Sequence, residues 1–389
     1  MINLALRDTL NGWGKFLFTG LGLGLLVGVT LTMAGVYRGM VDDGRALLAN
    51  SGADLWAVQQ HTLGPYAEAS SIDDDLYRGM LVIPGVAAAA NVTYLTMQLA
   101  AGGRETRAMV VGIAPGSPGT PGWPGRLVAG RHLGKGHYEA VADSAAGFAI
   151  GDVFTLRGER FRVVGLTRRM VSSSGDPMVF IPLADAQDAQ FDESSAAVQR
   201  DRRRNRTTGE GARATADGGP GRVNAVLLRL DTGVDPVPVA EAIRRWQQLT
   251  VYTRDEMEAL VVGKLIATSA KQIGLFLAIL ALVSAAIVAF IIYSLTLDKL
   301  REIAVLKLIG ARSRTIAAMI LQQALVLGII GFAVGKVVAT VAAPWFPKYV
   351  LLLPGDTALG FVAVLALCML ASLVAIRVAL RVDPAEAIG

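Results

Sequence analysis

Residues 273–297 read IGLFLAILALVSAAIVAFIIYSLTL, without one charged side chain, and this stretch decides the class of fold. A helix of about 20 apolar residues spans the hydrocarbon core of a bilayer. Three more stretches free of Asp, Glu, Lys and Arg reach that length, at 16–37, 315–335 and 357–376. A Lys, Arg or Asp at the bilayer centre costs roughly 2.5–3.5 kcal/mol, so four such windows mark four membrane spans. The composition agrees: 53% of the 389 residues are hydrophobic and only 18% charged, an apolar excess that must go into lipid. The first stretch is expected to be a span and not a secretory signal, because it exceeds a usual signal core and no small-x-small cleavage site closes it before Tyr37 and Arg38.

Orientation follows from the basic residues of the short segments. Arg7 and Lys15 precede the first span, Lys299, Arg301, Lys307, Arg312 and Arg314 lie between the second and third, and Arg377 and Arg381 follow the fourth. Positive residues stay on the cytoplasmic side, which places both termini and the loop 298–314 there. The loop 343–356 carries little besides Lys348 and Asp356 and falls outside. The expectation is a multi-pass membrane protein, with cytoplasmic segments at 1–15, 298–314 and 377–389. Its spans run over 16–37, 273–297, 315–342 and 357–376, and one large extracytoplasmic domain covers 38–271. The net charge of +5 comes largely from membrane-flanking bases and one arginine cluster, so it does not point to nucleic acid. The only cysteine, Cys368, lies inside the fourth span and carries no disulfide information.

Ile2, Leu6, Thr9, Leu10 and Trp13 recur at helical spacing opposite Asn3, Arg7, Asp8 and Asn11, as in an amphipathic helix on the membrane surface. Val36, Met40, Leu47 and Leu48 prolong the first span as a stalk until Asn50-Ser51-Gly52 breaks it. Met257, Leu260, Val261 and Leu265 form a second stalk ahead of residue 273, with Lys264 and Lys271 off their face. Between the stalks, short segments at 55–58, 94–100, 106–113, 153–156, 160–166, 179–181 and 223–230 read as strands, and 73–81, 184–189 and 238–249 as helices. The fold class is therefore an α-helical membrane protein of four spans with a large mixed α+β extracytoplasmic domain inserted between the first two. Residues 199–222, poor in apolar side chains and carrying Arg202, Arg203, Arg204 and Arg206, are expected to form a flexible insertion.

Several patterns point away from chemistry on this chain. Gly331-x-x-x-Gly335-Lys336 and Gly130-x-x-x-Gly134-Lys135 each fall one residue short of a phosphate loop. His132, His137, Glu139 and Asp143 match no metal-ligand spacing, and Ser172, Ser173 and Ser174 have no histidine nearby in sequence. Lys336 is expected to snorkel from the outer edge of the third span. Gly20, Gly24 and Gly28, repeated once by Gly331 and Gly335, allow close helix approach, within one subunit or across two.

The loop between the second and third spans is the most informative segment. Lys299, Leu300, Arg301, Glu302, Ile303, Ala304, Val305, Leu306, Lys307, Leu308, Ile309 and Gly310 describe a basic amphipathic helix. Leu300, Ile303, Ala304 and Lys307 share one face, Gly310 suits a C-cap, and Ser313 starts the next helix. Such a helix is either an interfacial anchor or a docking knob for a cytoplasmic partner. The run closely resembles the signature of the MacB/FtsX superfamily of ABC transporter permeases. Arg381-Val-Asp-Pro384-Ala-Glu-Ala387-Ile388 looks like that family's C-terminal signature, and 130–183, with Glu139-Ala-Val-Ala-Asp143 and Phe161-Arg-Val-Val-Gly165, like its periplasmic core. Among subgroups the chain looks most like the half-permeases of the DevC and MacB kind without a fused ATPase, and the arginine-rich insertion is its departure.

The resemblance implies that 299–310 is the coupling helix seated in a separate cytoplasmic ABC ATPase, which binds ATP and Mg while this chain binds no cofactor. It also implies a homodimer, a periplasmic adaptor protein, and force relayed through the stalks to move an envelope substrate outward. The alternative within the family is an FtsX-like regulator that switches on a periplasmic cell-wall hydrolase and transports nothing.

Overall fold

The computed structural model describes residues 13–191 and 221–381, apart from residues 69, 102, 126, 248, 299, 310 and 347. Residues 1–12 of the expected surface helix at 1–15, nearly all of the 199–222 insertion and the tail signature beyond Arg381 lie outside the described residues, and 13–15 begin the first described helix. The chain divides into two compact units: Met40–Thr268, and the remainder.

Among the described residues four helices are long and apolar enough to cross a membrane, with candidate spans at Thr19–Ser51, Arg254–Ser294, Ser313–Trp345 and Pro354–Arg377. They belong to helix α1 (Trp13–Ser51), to α5 (Arg254–Leu260) continued through a π-helical turn Val261–Ile266 into α6 (Ala267–Asp298), to α8 (Ser313–Ala342) and to α9 (Pro354–Arg381). Backbone polar groups in lipid must be satisfied within the segment, which is why each apolar run is helical throughout. α1 stops at Ser51, whose hydroxyl turns back to Leu48 O at 2.7 Å, and Gly52 follows in the left-handed region at φ +62°. α5 starts on a capping box: the Thr253 hydroxyl accepts from the Glu256 N–H, and the Glu256 carboxylate accepts from the Thr253 N–H.

Within Met40–Thr268 a ten-stranded mixed sheet forms in the order β12-β1-β11-β3-β4-β9-β6-β8-β5. Its strands are β1 (Leu55–Val58), β3 (Val86–Ala101), β4 (Arg104–Ile113), β5 (Leu127–Gly130), β6 (Glu139–Asp143), β8 (Glu159–Thr167), β9 (Met178–Pro182), β11 (Ala225–Leu230) and β12 (Thr250–Thr253). β7 (Val153–Leu156) lies off this path and pairs with β3 and β8. Only β4 with β9 and β6 with β8 run parallel; the other pairs are antiparallel. A separate pair joins β2 (Ile72–Asp73) to β10 (Arg222–Val223).

Helices α2 (Leu76–Met80) and α4 (Pro236–Gln247) cover one core with Leu55, Ala57, Leu228 and Val251 of the sheet. Helix α3 (Leu183–Phe191) covers a second core, which holds Leu99, Val110, Ala140, Val163 and Ile181. In that core Phe154 stacks between Phe148 and Phe161, with ring centroids 5.3 and 5.6 Å apart.

The differences from the sequence reading are local. Residues 223–230 are not one strand, because Asn224 interrupts them: its side chain accepts from the Tyr94 N–H at 2.7 Å and donates to Ser70 O at 2.6 Å. Residues 73–81 hold a shorter helix than expected, since Ile72 and Asp73 pair with β10. β6 and the first half of β3 had no strand signal. Their alanines lack the branched side chains that favour a pleat, and pairing supplies what propensity does not: β6 lies between β8 and β9, and the first half of β3 pairs with β11.

Phe154 is fully buried, so Phe154→Ala should cost about 3–5 kcal/mol. Thermal unfolding of the purified full-length chain is expected to shift down by several degrees, while Arg160→Ala, at an exposed position of β8, leaves it unchanged.

Candidate docking helix and glycine seam

The segment between α6 and α8 forms helix α7 (Leu300–Leu308). The side chains of Leu300, Arg301, Glu302 and Leu306, and the whole of Lys299 and Gly310, lie outside the described residues. Ile303 and Ala304 are both buried, at 2% exposure. Ile303 belongs to one cluster with Val288 and Ile292 of α6 and Ile316 and Ile320 of α8. Val305, Leu308 and Ile309 point elsewhere and are exposed at 46%, 64% and 79%. Their i, i+3, i+4 spacing puts them on one side of the helix. Lys307 is half-buried, and the Ile309 N–H still donates to Val305 O at 3.1 Å, extending the helical turn by one residue. α8 begins at Ser313, where the sequence placed a helix start, with Arg312 ahead of it in extended backbone. Thus α7 is apolar on two sides: one anchors it in the bundle and the other has no cover among the described residues.

The glycines of the first span meet those of the third. A Cβ at Gly20 would stand 2.8 Å from Ile330 Cγ2. At Gly24 it would stand 2.5 Å from Val334 Cγ1, and at Gly28 3.1 Å from Gly335 O. The fit is reciprocal, because a Cβ at Gly331 would meet Leu23 at 2.7 Å and one at Gly335 would meet Gly24 O at 2.8 Å. The sequence left open whether this face served one subunit or two, and the resemblance inclined it toward a pair. In the structure it is filled within the chain, so the seam between α1 and α8 is not free to join a second copy.

The same stripe continues where the sequence reading had stopped. Gly35 lies against Val350 Cγ1, its carbonyl accepts from the Leu351 N–H at 3.0 Å, and Gly39 lies against the Tyr349 carbonyl. Gly35 and Gly39 keep the four-residue interval, which was the available signal. Next to them Arg38 forms a two-point ion pair with Asp356: Nε to Oδ2 at 2.7 Å and Nη2 to Oδ1 at 2.8 Å. The pair ties the end of the first span to the first turn of α9. Lys336, expected to snorkel, donates to Thr357 Oγ1 at 3.4 Å.

The remaining candidates disperse. Glu139 pairs with Arg131, which holds its carboxyl below the usual carboxylate range. Asp143 accepts from the Ala145 and Met170 N–H groups while burial pushes its carboxyl up. His137 Nδ1 contacts Asp185 Oδ1 at 2.6 Å, and His132 packs on Trp123 with ring centroids 5.3 Å apart. Ser172 Oγ accepts from the N–H groups of Ser174 and Asp176 in a turn. Among the described residues no group of three or more His, Cys, Asp or Glu is placed to hold a metal. A cavity of about 20 Å³ between Tyr66, Tyr94, Ser51 and Phe180 has room for a water molecule and not for an organic substrate.

The description "MacB-like periplasmic core domain" matches residues 16–246, more than half of the chain, and "FtsX-like permease C-terminal" matches 274–384. An uncharacterized ABC transporter permease of Mycobacterium tuberculosis (strain ATCC 25618 / H37Rv) is 27% identical over 390 residues, covering 100% of this chain and 99% of the relative. Another, from Mycobacterium bovis, is 25% identical with the same coverage. The solved periplasmic region of MacB from Actinobacillus actinomycetemcomitans aligns with 56% of this chain and 97% of its own, at 12% identity and a TM-score of 0.36.

Gly22 and Gly24 provide a matched pair, since a Cβ at Gly22 meets nothing within 4 Å. Gly24→Leu is expected to force α1 and α8 apart at a cost of about 1–3 kcal/mol or more. The detergent-solubilised protein should then aggregate at a lower temperature, whereas Gly22→Leu behaves as wild type.

Proposed function

Because the chain belongs to the MacB/FtsX-type ABC transporter permeases, multi-pass proteins in which a MacB-like domain precedes an FtsX-like C-terminal region, we propose that it couples a separate cytoplasmic ATPase to its large inserted domain. The observation that carries this reading is the uncovered face of Val305, Leu308 and Ile309 on α7, opposite the buried Ile303 and Ala304. A partner that presses on this face moves a helix already packed against α6 and α8. The positive residues around it, Arg312 and Arg314 among them, favour the cytoplasmic side for this loop, and with it the outer side for Met40–Thr268.

On this reading ATP and Mg are held by the partner, and closure of two ATPase subunits draws in one α7 from each of two permease copies. A ligand shifts a conformational equilibrium only by its differential affinity for the two states, so the ATPase must grip α7 more tightly in one of them. The two stalks relay that bias to the sheet domain, which moves an envelope substrate outward with a periplasmic adaptor. The inner membrane is the place such a machine requires. Regulation of a cell-wall hydrolase is the second use of the same motion. Identifying what binds the outer domain separates them: an adaptor supports export, a hydrolase supports regulation.

Leu308→Arg should leave insertion and expression intact while co-purification with the ATPase falls by at least tenfold. Ile303→Arg, which buries a charge, should lower the yield of folded protein instead. Undiminished co-purification of Leu308→Arg would remove the docking role.

A further inference from the structure

The second stalk contains the only π-helical segment among the described residues, Val261–Ile266. Such turns carry one residue more than an α-helix can hold and recur at functional positions. In an α-helix residues five apart point about 140° from one another. Here Val261 and Ile266, buried at 1% and 2%, both lie against Gly44 of α1. A Cβ on Gly44 would stand 3.0 Å from Val261 Cγ1 and 3.2 Å from Ile266 Cδ1. The additional residue is what lets two side chains five apart straddle one glycine. Inside the bulge, a Cβ on Gly263 would meet nothing within 4 Å.

Specific contacts hold the flanks of the bulge. The capping box anchors the start of α5, Met257 is buried, and Arg45 Nε of α1 holds Glu258 Oε1 at 2.8 Å. α1 itself runs unbroken and is tied to the sheet domain at its end. Asp42 pairs with Arg169, Asn50 Nδ2 donates to Arg169 O at 3.0 Å, and Ser51 O accepts from the Gly122 N–H at 2.6 Å. One stalk is thus a strut, and the other contains a turn that can lose a residue.

We propose that the π-helical turn is a register switch in the second stalk. With the bulge in place, Val261 and Ile266 clasp Gly44. When it is expelled, the helix beyond advances by one residue, about 1.5 Å and 100°, and Ile266 leaves the glycine. The proposed ATPase coupling supplies the bias between the two registers, and in that respect the inference rests on the function proposed above. The existence of two registers does not depend on it.

The test uses the full-length chain in phosphatidylethanolamine–phosphatidylglycerol nanodiscs, alone and then with its ATPase. Without ATPase, amides 262–267 are expected to exchange hydrogen about tenfold faster than amides 255–260, because a bulge opens locally. Gly263→Ala, which fits the open space and favours the α register, should reduce that difference to about threefold or less. Deletion of Gly263 should abolish it. Equal protection of the two segments in the wild type would overturn the switch. With ATPase, the deletion should bind normally and lose nucleotide-dependent changes in exchange beyond residue 267, whereas changes at the wild-type level would also overturn it. Failure of the ATPase to bind either form counts against the docking of α7 and leaves the first comparison to decide the switch.

Discussion

Neither Gly24 nor Gly335 has room for a side chain, Gly335 because it lies against the Gly24 carbonyl and Gly24 because it lies against Val334 and the Gly331 carbonyl, and this contact between α1 and α8 is the constraint on which the membrane unit depends. Lipid tails are as apolar as leucine, so spans gain little by merely hiding apolar surface from them. They associate by close packing instead. Glycine provides that packing on both helices: Leu23 and Val27 fill the hollows at Gly331 and Gly335, and Val334 and Val338 fill those at Gly24 and Gly28. The C-terminal part of the stripe, Gly35 and Gly39, receives the backbone of residues 349–351, and Arg38 with Asp356 closes the end. By contrast α6 shows Leu275, Phe276 and Leu282 at 60% exposure or more, which is tolerated where the surroundings are hydrocarbon.

From this seam α1 continues without interruption to Ser51, and there its end is fastened to the sheet domain by Asp42, Asn50 and the Ser51 carbonyl. At its other side α8 shares a buried cluster with Ile303 of α7. If α7 docks the ATPase as proposed, a helix rooted in that cluster and a continuous helix of 39 residues that packs on α8 are the parts a force relay needs. On the proposed reading these residues do no bond chemistry, and the work lies in which packing arrangement an external ATPase favours.

The spans were legible because an apolar run of that length without a charge is rarely anything but a membrane helix. The loop between the second and third spans was legible as a helix, yet which of its sides the bundle covers was not. The sequence drew attention to Leu300, Ile303, Ala304 and Lys307. Burial instead singles out Val305, Leu308 and Ile309, since which apolar side is covered depends on α6 and α8 and not on the loop's own pattern. Whether Gly20, Gly24 and Gly28 faced their own chain or another was beyond any periodicity argument, because the same spacing serves both. In the sheet domain 153–156 read as a strand with the bounds of β7, while alanine-rich β6 went unread because its order comes from neighbours on both sides. The π-helical turn left no mark in composition. Its first and last residues, Val261 and Ile266, lie against Gly44 on a helix distant in sequence.

On the proposed reading α7 offers its uncovered face to a nucleotide-hydrolysing protein. A photoreactive amino acid at Leu308, activated in living cells that express the full-length chain, tests this most directly. The account predicts adducts with an ABC ATPase, formed in greater yield when ATP hydrolysis is trapped. Adducts with phospholipid alone, unchanged by the nucleotide state, would show that α7 is an interfacial anchor and contradict the account.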